Sequence, residues 1–326
     1  MFKNLSPRAL GTSGRQSEII ELALTYGFHG IDMNFGEYAR RASVYGIEHS
    51  ARFVLSAKKR PDGFEIGGFD LPFSLKGEEA GFRASLEMLR VWVNTPEGEE
   101  QSIAASVGVN RCLVVVDPFS DTLALPENFE LHRTRLGQVA EVLAEGGLKL
   151  GVGLQAAAEK RKGKTHEFIH QAAELLKLIS SVGADNVGLL LDLWNWKVGG
   201  GTMAQLREFG ADKVVAVRAN DVPEGADLAT IGEQDRLLPG ESGETNAVEV
   251  LEWLKDADYD GPVTVFPHPR NFKGMTRDAI VQRAGSAMND LWVAIGLVQA
   301  KESEGEAVAV GAVAEANGQD DSTTEE

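Results

Sequence analysis

GLLLDLWNWKVGGGTMAQLREFGADKVVAVRANDVPEGADL, residues 188–228, holds two short apolar runs that each end in a charged side chain. Val187–Leu191 runs into Asp192, and Val214–Val217 runs into Arg218. A longer segment with a glycine run, Gly199–Gly201, separates them. That connection is far longer than a hairpin turn, so the pair reads as parallel strands joined by a crossover. The same alternation continues outward in both directions. Further strands are expected near Arg8–Leu10, Gly30–Met33, Phe64–Ile66, Leu113–Val116, Leu150–Leu154 and Val263–Phe266. Between them, apolar residues recur at helical spacing over Gln16–Tyr26, Phe129–Ala144, His166–Ile179, Val248–Leu254 and Ile280–Leu297. Eight βα units predict an α/β fold, a single (β/α)8 TIM barrel, with function at the C-terminal ends of the strands.

The chain has 326 residues, a length that as a prior suggests two domains but also suits one barrel. It carries 49 acidic and 32 basic side chains, a formal net charge of −17. Binding to nucleic acid or an anionic membrane rests on clustered Lys and Arg, so neither is expected as the partner. One cysteine, Cys112, excludes an internal disulfide framework and a multi-cysteine zinc site. Met1–Gly14 has no export signal pattern, and no apolar run approaches membrane-spanning length, so a cytoplasmic location is expected. The barrel is assigned to residues 1–299 and an acidic disordered tail to 300–326. In 301–326 eight acids stand against one lysine, which accounts for −7 of the −17.

The polar residues that follow the strands are the candidates for chemistry. They are Asp32 and Asn34, Asp70, Asp117, Gln155, Asp192 with Asn195 and Trp196, Arg218 with Asn220 and Asp221, and His268 with Arg270. Helix N-capping alone accounts for many an Asp or Asn at such a place, Asn34, Asp70 and Asp117 among them. His29, His132 and His170 read as packing or surface residues, and Gly199–Gly201 as a flexible loop, since no P-loop Lys-Ser/Thr follows it.

Residues 188–228, with RLLPGESG (236–243) and YDGPVTVF (259–266), resemble the sugar phosphate isomerase/epimerase family with the xylose isomerase-like barrel. That family includes inosose dehydratases and shares its fold with endonuclease IV. The resemblance implies a divalent metal such as Mn, Mg, Zn or Co at the mouth. Its ligands would be a Glu ending strand five, an Asp ending strand six, a His ending strand seven and a Glu on strand eight. The two glutamates would move a proton next to a carbonyl that the metal polarises. Carried over residue by residue, these positions fall on Gln155, Asp192, Arg218 and Phe266. A further family His falls on Asn195. Three of the four ligands are replaced, so no metal is expected, and Arg218 is expected to pair with Asp192 instead.

Arg218, His268 and Arg270 then predict a cationic spot suited to an anionic sugar derivative, with Asn195, Asn220, Trp196 and Arg236 as further substrate contacts. Asp192, Gln155 and Asp221 are the candidates for catalysis. Glu159 or His268 are alternatives for a displaced ligand. The resulting expectation is an isomerase/epimerase-like protein that acts on or binds a sugar, sugar acid or sugar phosphate without the family's metal. The alternative is a non-catalytic relative, a pseudoenzyme serving as a ligand-binding or protein-interaction module.

Overall fold

Eight parallel strands close into a barrel: β1 (Phe2–Leu5), β2 (Gly30–Asp32), β3 (Glu65–Asp70), β4 (Arg111–Val115), β5 (Lys149–Gly153), β6 (Val187–Asp192), β7 (Val214–Ala219) and β8 (Pro262–Val265). Each strand pairs with the next in chain order, and β1 closes the ring against β8 with Asn4 beside Thr264 and Leu5 beside Val265. The structure, a computed structural model, describes residues 1–299. The acidic tail expected at 300–326 lies outside the described residues. Among those described, no helix is long and apolar enough to cross a membrane.

Seven of the expected strands overlap observed ones; the first does not. Arg8–Leu10 is a turn, held by Leu10 N–H donating to Ser6 O and Gly11 N–H to Arg8 O. The true first strand is FKNL, whose polar Lys3 and Asn4 disguise it. Asn4 is fully buried and donates to Thr264 Oγ1 at 2.9 Å, a polar residue inside the ring rather than outside it. A Cβ at Gly67 would lie 2.4 Å from Asn4 Nδ2, so β3 makes room for this side chain by having none.

Deeper inside the ring, Leu113, Leu190, Val215 and Ala216 form a small cluster separate from the main core between strands and helices. The outer layer contains the helices Gln16–Thr25, Leu125–Glu145, Ala247–Asp256 and Arg277–Ala294 that periodicity anticipates. The helix expected over His166–Ile179 starts only at Ala172. His166–Glu167 instead pairs antiparallel with Phe119–Ser120, a small ribbon over the mouth side of the β4 and β5 connections. Helices Phe35–Tyr45, Ile47–Lys58 and Glu79–Val93 complete the wall between β2 and β4.

Candidate active site at the barrel mouth

The end of β6 places a buried charged group at the mouth. Asp192 is 4% exposed and caps helix Leu193–Val198, its Oδ1 accepting from Asn195 N at 3.1 Å and from Asn220 Nδ2 at 3.1 Å. Its Oδ2 accepts from Arg236 Nη1 at 3.0 Å. The guanidinium of Arg236, itself 5% exposed, lies 5.0 Å over Trp194 and 5.4 Å over Phe266, and reaches Glu233 Oε1 at 3.6 Å.

The partner of Asp192 is therefore Arg236 and not Arg218. Arg218 stands beside Asp192 in the sheet register, yet its long side chain lies 4.1 Å over the Phe266 ring and donates to Asp70 Oδ1 at 3.2 Å, across the mouth. Arg8 pairs with the other oxygen of the same carboxylate.

Gln155, at the end of β5, donates from Nε2 to Glu233 Oε1 at 2.9 Å, and Lys160 approaches Glu233 Oε2 at 2.5 Å. Burial opposes the charge of Glu233, but the hydrogen bonds from Lys160 and Gln155 and the nearby Arg236 outweigh it and hold this carboxyl below its ordinary value. Asp221 is fully buried and accepts four backbone N–H groups, from Val222 at 2.9 Å, Ser242 at 3.1 Å, Gly243 at 2.7 Å and Thr245 at 3.1 Å. It ties the loop after β7 to the strand.

Asn220 accepts from Trp194 N at 2.6 Å and Asn195 accepts from Ala156 N at 2.9 Å, so both asparagines brace neighbouring strand ends. Trp196 is buried in the main core, packed where a Cβ at Gly201 would collide with its ring, rather than open to a ligand. His268 accepts from Arg270 N at 3.2 Å to start the turn Pro269–Phe272, and the exposed Arg270 stands 3.7 Å from Asp235. The expected cationic spot at β7 and β8 is thus matched pair by pair: Arg218 by Asp70, Arg236 by Asp192, Arg270 by Asp235. Glu159 accepts from Glu233 N at 3.2 Å and stays at the rim.

A second group, on the β1 to β3 side, was visible in the sequence only as positions after strands. Asp32 ends β2 and accepts from Asn4 Nδ2 at 2.6 Å. Burial dominates its environment and raises its carboxyl from 3.8 to about 6, against the opposing hydrogen bond from Asn4 and the attraction of Arg218. Asn4 Oδ1 is buried with no partner. Asn34 does serve as an N-cap, accepting from Glu37 N at 3.2 Å.

Two cavities meet here. One of about 310 Å³ is lined by Arg8, Asp70, Lys76, Asp117, Arg218 and Phe266. The other, of about 550 Å³, runs over Asp32 and is lined by Arg8, Arg15, Asn34, Glu37 and Arg41 among others. Arg8 belongs to both.

A family model described as the xylose isomerase-like TIM barrel matches residues 20–286. The chain belongs to that family. A relative, the inosose isomerase of Halalkalibacterium halodurans, is 27% identical over 97 residues, which span 30% of this chain and 34% of that protein's length. Among solved structures, a xylose isomerase domain protein from Alicyclobacillus acidocaldarius superposes with a TM-score of 0.75 at 22% identity, over 90% of this chain and 99% of the other. An IolI protein with a bound zinc atom superposes with a TM-score of 0.70 at 14% identity, over 90% and 98% of the two chains. These likenesses show the fold.

The four side chains to which the resemblance carries the family's metal ligands can be tested against a divalent cation by their own chemistry. Arg218 has only donors, Phe266 has no lone pair, and Gln155 has one neutral oxygen. Asp192 keeps its carboxylate, but a guanidinium already sits on Oδ2. This donor set does not fit a divalent cation. Among the described residues, no group of three or more His, Cys, Asp or Glu side chains gathers elsewhere in ligand geometry.

Proposed function

We infer that this chain binds a small carbohydrate at the barrel mouth and acts on it as an isomerase or epimerase, without a divalent metal at the position its family uses. The observation that carries this reading is the buried Arg236–Asp192 pair at 3.0 Å, flanked by Phe266 and by Arg218. A fixed cation there does for Asp192 what a metal would, since an isolated buried carboxylate is too costly to keep. The substrate class we propose, supported by the similarity to an inosose isomerase, is an inosose or a related polyhydroxylated ketone, whose acidic C–H lies next to a carbonyl.

Moving that proton needs a carboxyl group poised near neutrality, and Asp32 has that character, whereas the oxygens of Asp192 and Asp221 already accept three and four hydrogen bonds. In this reading Asn4 orients Asp32, the Arg218 guanidinium that lines the cavity holds substrate oxygens and stabilises developing negative charge, Arg236 keeps Asp192 in place, and Gln155 with Glu233 lines the far side.

The test is deuterium exchange. Purified protein is incubated with an inosose in D2O, and solvent deuterium entering the carbon next to the carbonyl is followed by NMR, with and without EDTA, for wild type and Asp32→Asn. The expected result is exchange that is indifferent to EDTA and lost in Asp32→Asn. Exchange that appears only after Mn, Co or Zn is added would overturn metal independence. Binding of the inosose with no exchange would favour the second reading, a non-catalytic relative, which the fully engaged oxygens of Asp192 and Asp221 also support.

A further inference from the structure

Among the described residues, Arg15, Arg40, Arg41, Arg52 and Arg60 have no described carboxylate oxygen within 4.0 Å, and every other arginine is paired with one. Four of these five share one surface in a chain of net charge −17. Arg15 and Arg41 line the 550 Å³ cleft over Asp32, and both also line the adjoining depression that contains Arg52. Arg40 and Arg41 border a third, next to His49. Arg41 is common to all three.

Leaving guanidiniums unpaired beside so many acids is a choice of this surface. Glu37 lies one helical turn before Arg41, the usual spacing for an ion pair, yet the two do not meet within 4.0 Å. The cleft itself holds Arg8, Arg15 and Arg41 against Glu37 and Asp32. Arg8 is engaged by Asp70, so Arg15 and Arg41 are its free donors.

The geometry points to this cleft as an anion subsite, in which Arg15 and Arg41 hold a phosphate or carboxylate group of a small polyol whose hydroxyls extend over Asp32 toward Arg8 and the mouth. Guanidinium donors match both anions in a bidentate fork, and a volume of about 550 Å³ is of the size that holds a small ligand. The inference rests on the carbohydrate reading above for its polyol end, while its anion end stands on the unpaired arginines. It moves the anion contact from the Arg218, His268 and Arg270 group, where each arginine has its acid, to the opposite side of the mouth.

The experiment is calorimetric titration of the full chain with inorganic phosphate and with D-gluconate at constant ionic strength, so that screening does not pass for competition. Myo-inositol and an inosose serve as neutral probes. The variants are Arg15→Ala, Arg41→Ala, Arg41→Lys, Arg60→Ala and Arg270→Ala, each checked for an unchanged unfolding transition.

Saturable one-site binding is expected, weakened about tenfold or more by either alanine variant of the cleft, as loss of a charge-assisted pair implies, and partly kept in Arg41→Lys. Arg60→Ala and Arg270→Ala should bind as wild type. Tighter phosphate binding than gluconate identifies a phosphate ester as the natural group, and the reverse a sugar acid. Equal affinity in wild type and Arg41→Ala overturns the inference, as does loss in Arg270→Ala alone. If a neutral polyol binds and neither anion does, the anion subsite fails and the carbohydrate reading stands. If phosphate binds through Arg41 but no inosose binds or exchanges, the carbohydrate reading fails and the anion subsite stands.

Discussion

Replacing Asp32 by asparagine should make the protein more stable at alkaline pH, the reverse of what loss of a buried polar contact usually does. Burial raises this carboxyl from 3.8 to about 6. Between about pH 4 and pH 6 the folded state therefore holds a proton that the unfolded chain releases. Stability contributed by this site falls as pH rises through that window, and above pH 6 the whole cost of a buried charge is present. At 1.36 kcal/mol for each pH unit, the difference between 3.8 and about 6 corresponds to about 3 kcal/mol. Asparagine can keep the acceptor that Asn4 Nδ2 uses at 2.6 Å while removing the charge. Urea unfolding of wild type and Asp32→Asn at pH 8 and pH 4 measures the effect. The variant should gain up to about 3 kcal/mol at pH 8 and less than about 1 kcal/mol at pH 4. A 13C titration of the wild-type carboxyl should have its midpoint near 6. A gain that is equal at both pH values, or a net loss at pH 8, would refute burial as the dominant influence on Asp32.

Two further substitutions probe the scaffold of the mouth. Arg236→Ala leaves Asp192 charged and 4% exposed without its cation, and should cost about 3–5 kcal/mol in urea unfolding, with Arg236→Lys recovering only part because an ammonium cannot bridge Asp192 and Glu233 as a fork does; a cost below about 1 kcal/mol would mean the pair is not formed. Asp221→Asn turns one oxygen that accepts two backbone N–H groups into a donor facing them, so it should lose about 2–4 kcal/mol and open the 238–245 loop to proteolysis, and an unchanged cleavage rate there would count against the anchoring role.

The strands that sequence reading found are those whose inward and outward faces are both apolar, as in Val187–Leu191 and Val214–Val217, because a parallel strand is covered on both sides. FKNL failed that pattern because Asn4 points into the ring, where Gly67 leaves space for it. Helices Phe35–Tyr45 and Ile47–Lys58 passed unnoticed because their exposed faces carry arginine and glutamate and their buried residues include several alanines. In the site, Asp192 was legible as the end of a strand and the cap of a helix. Its partner was not, since Arg218 and Arg236 both lie in the segments that follow it and the choice between them depends on Asp70, 148 residues before Arg218. Nothing local distinguishes Arg15 or Arg41 from any surface arginine; their meaning lies in what fails to stand beside them.

The paired charges also limit what the mouth can bind. Arg8, Asp70 and Arg218 form one alternating run, and Asp192, Arg236, Glu233 and Lys160 another, each link an ion pair of 4.0 Å or less. A lone cation or anion entering such a run meets a partner and a repeller together, and gains little over water. A hydroxyl differs, because it donates to a carboxylate and accepts from a guanidinium at once. A row of hydroxyls can therefore insert along these alternating charges with both needs met, while a single strongly charged group finds unbalanced partners in the adjoining cleft, at Arg15 and Arg41. The charge pattern thus separates the two ends of one ligand class, polyol over the mouth and anion in the cleft beside it.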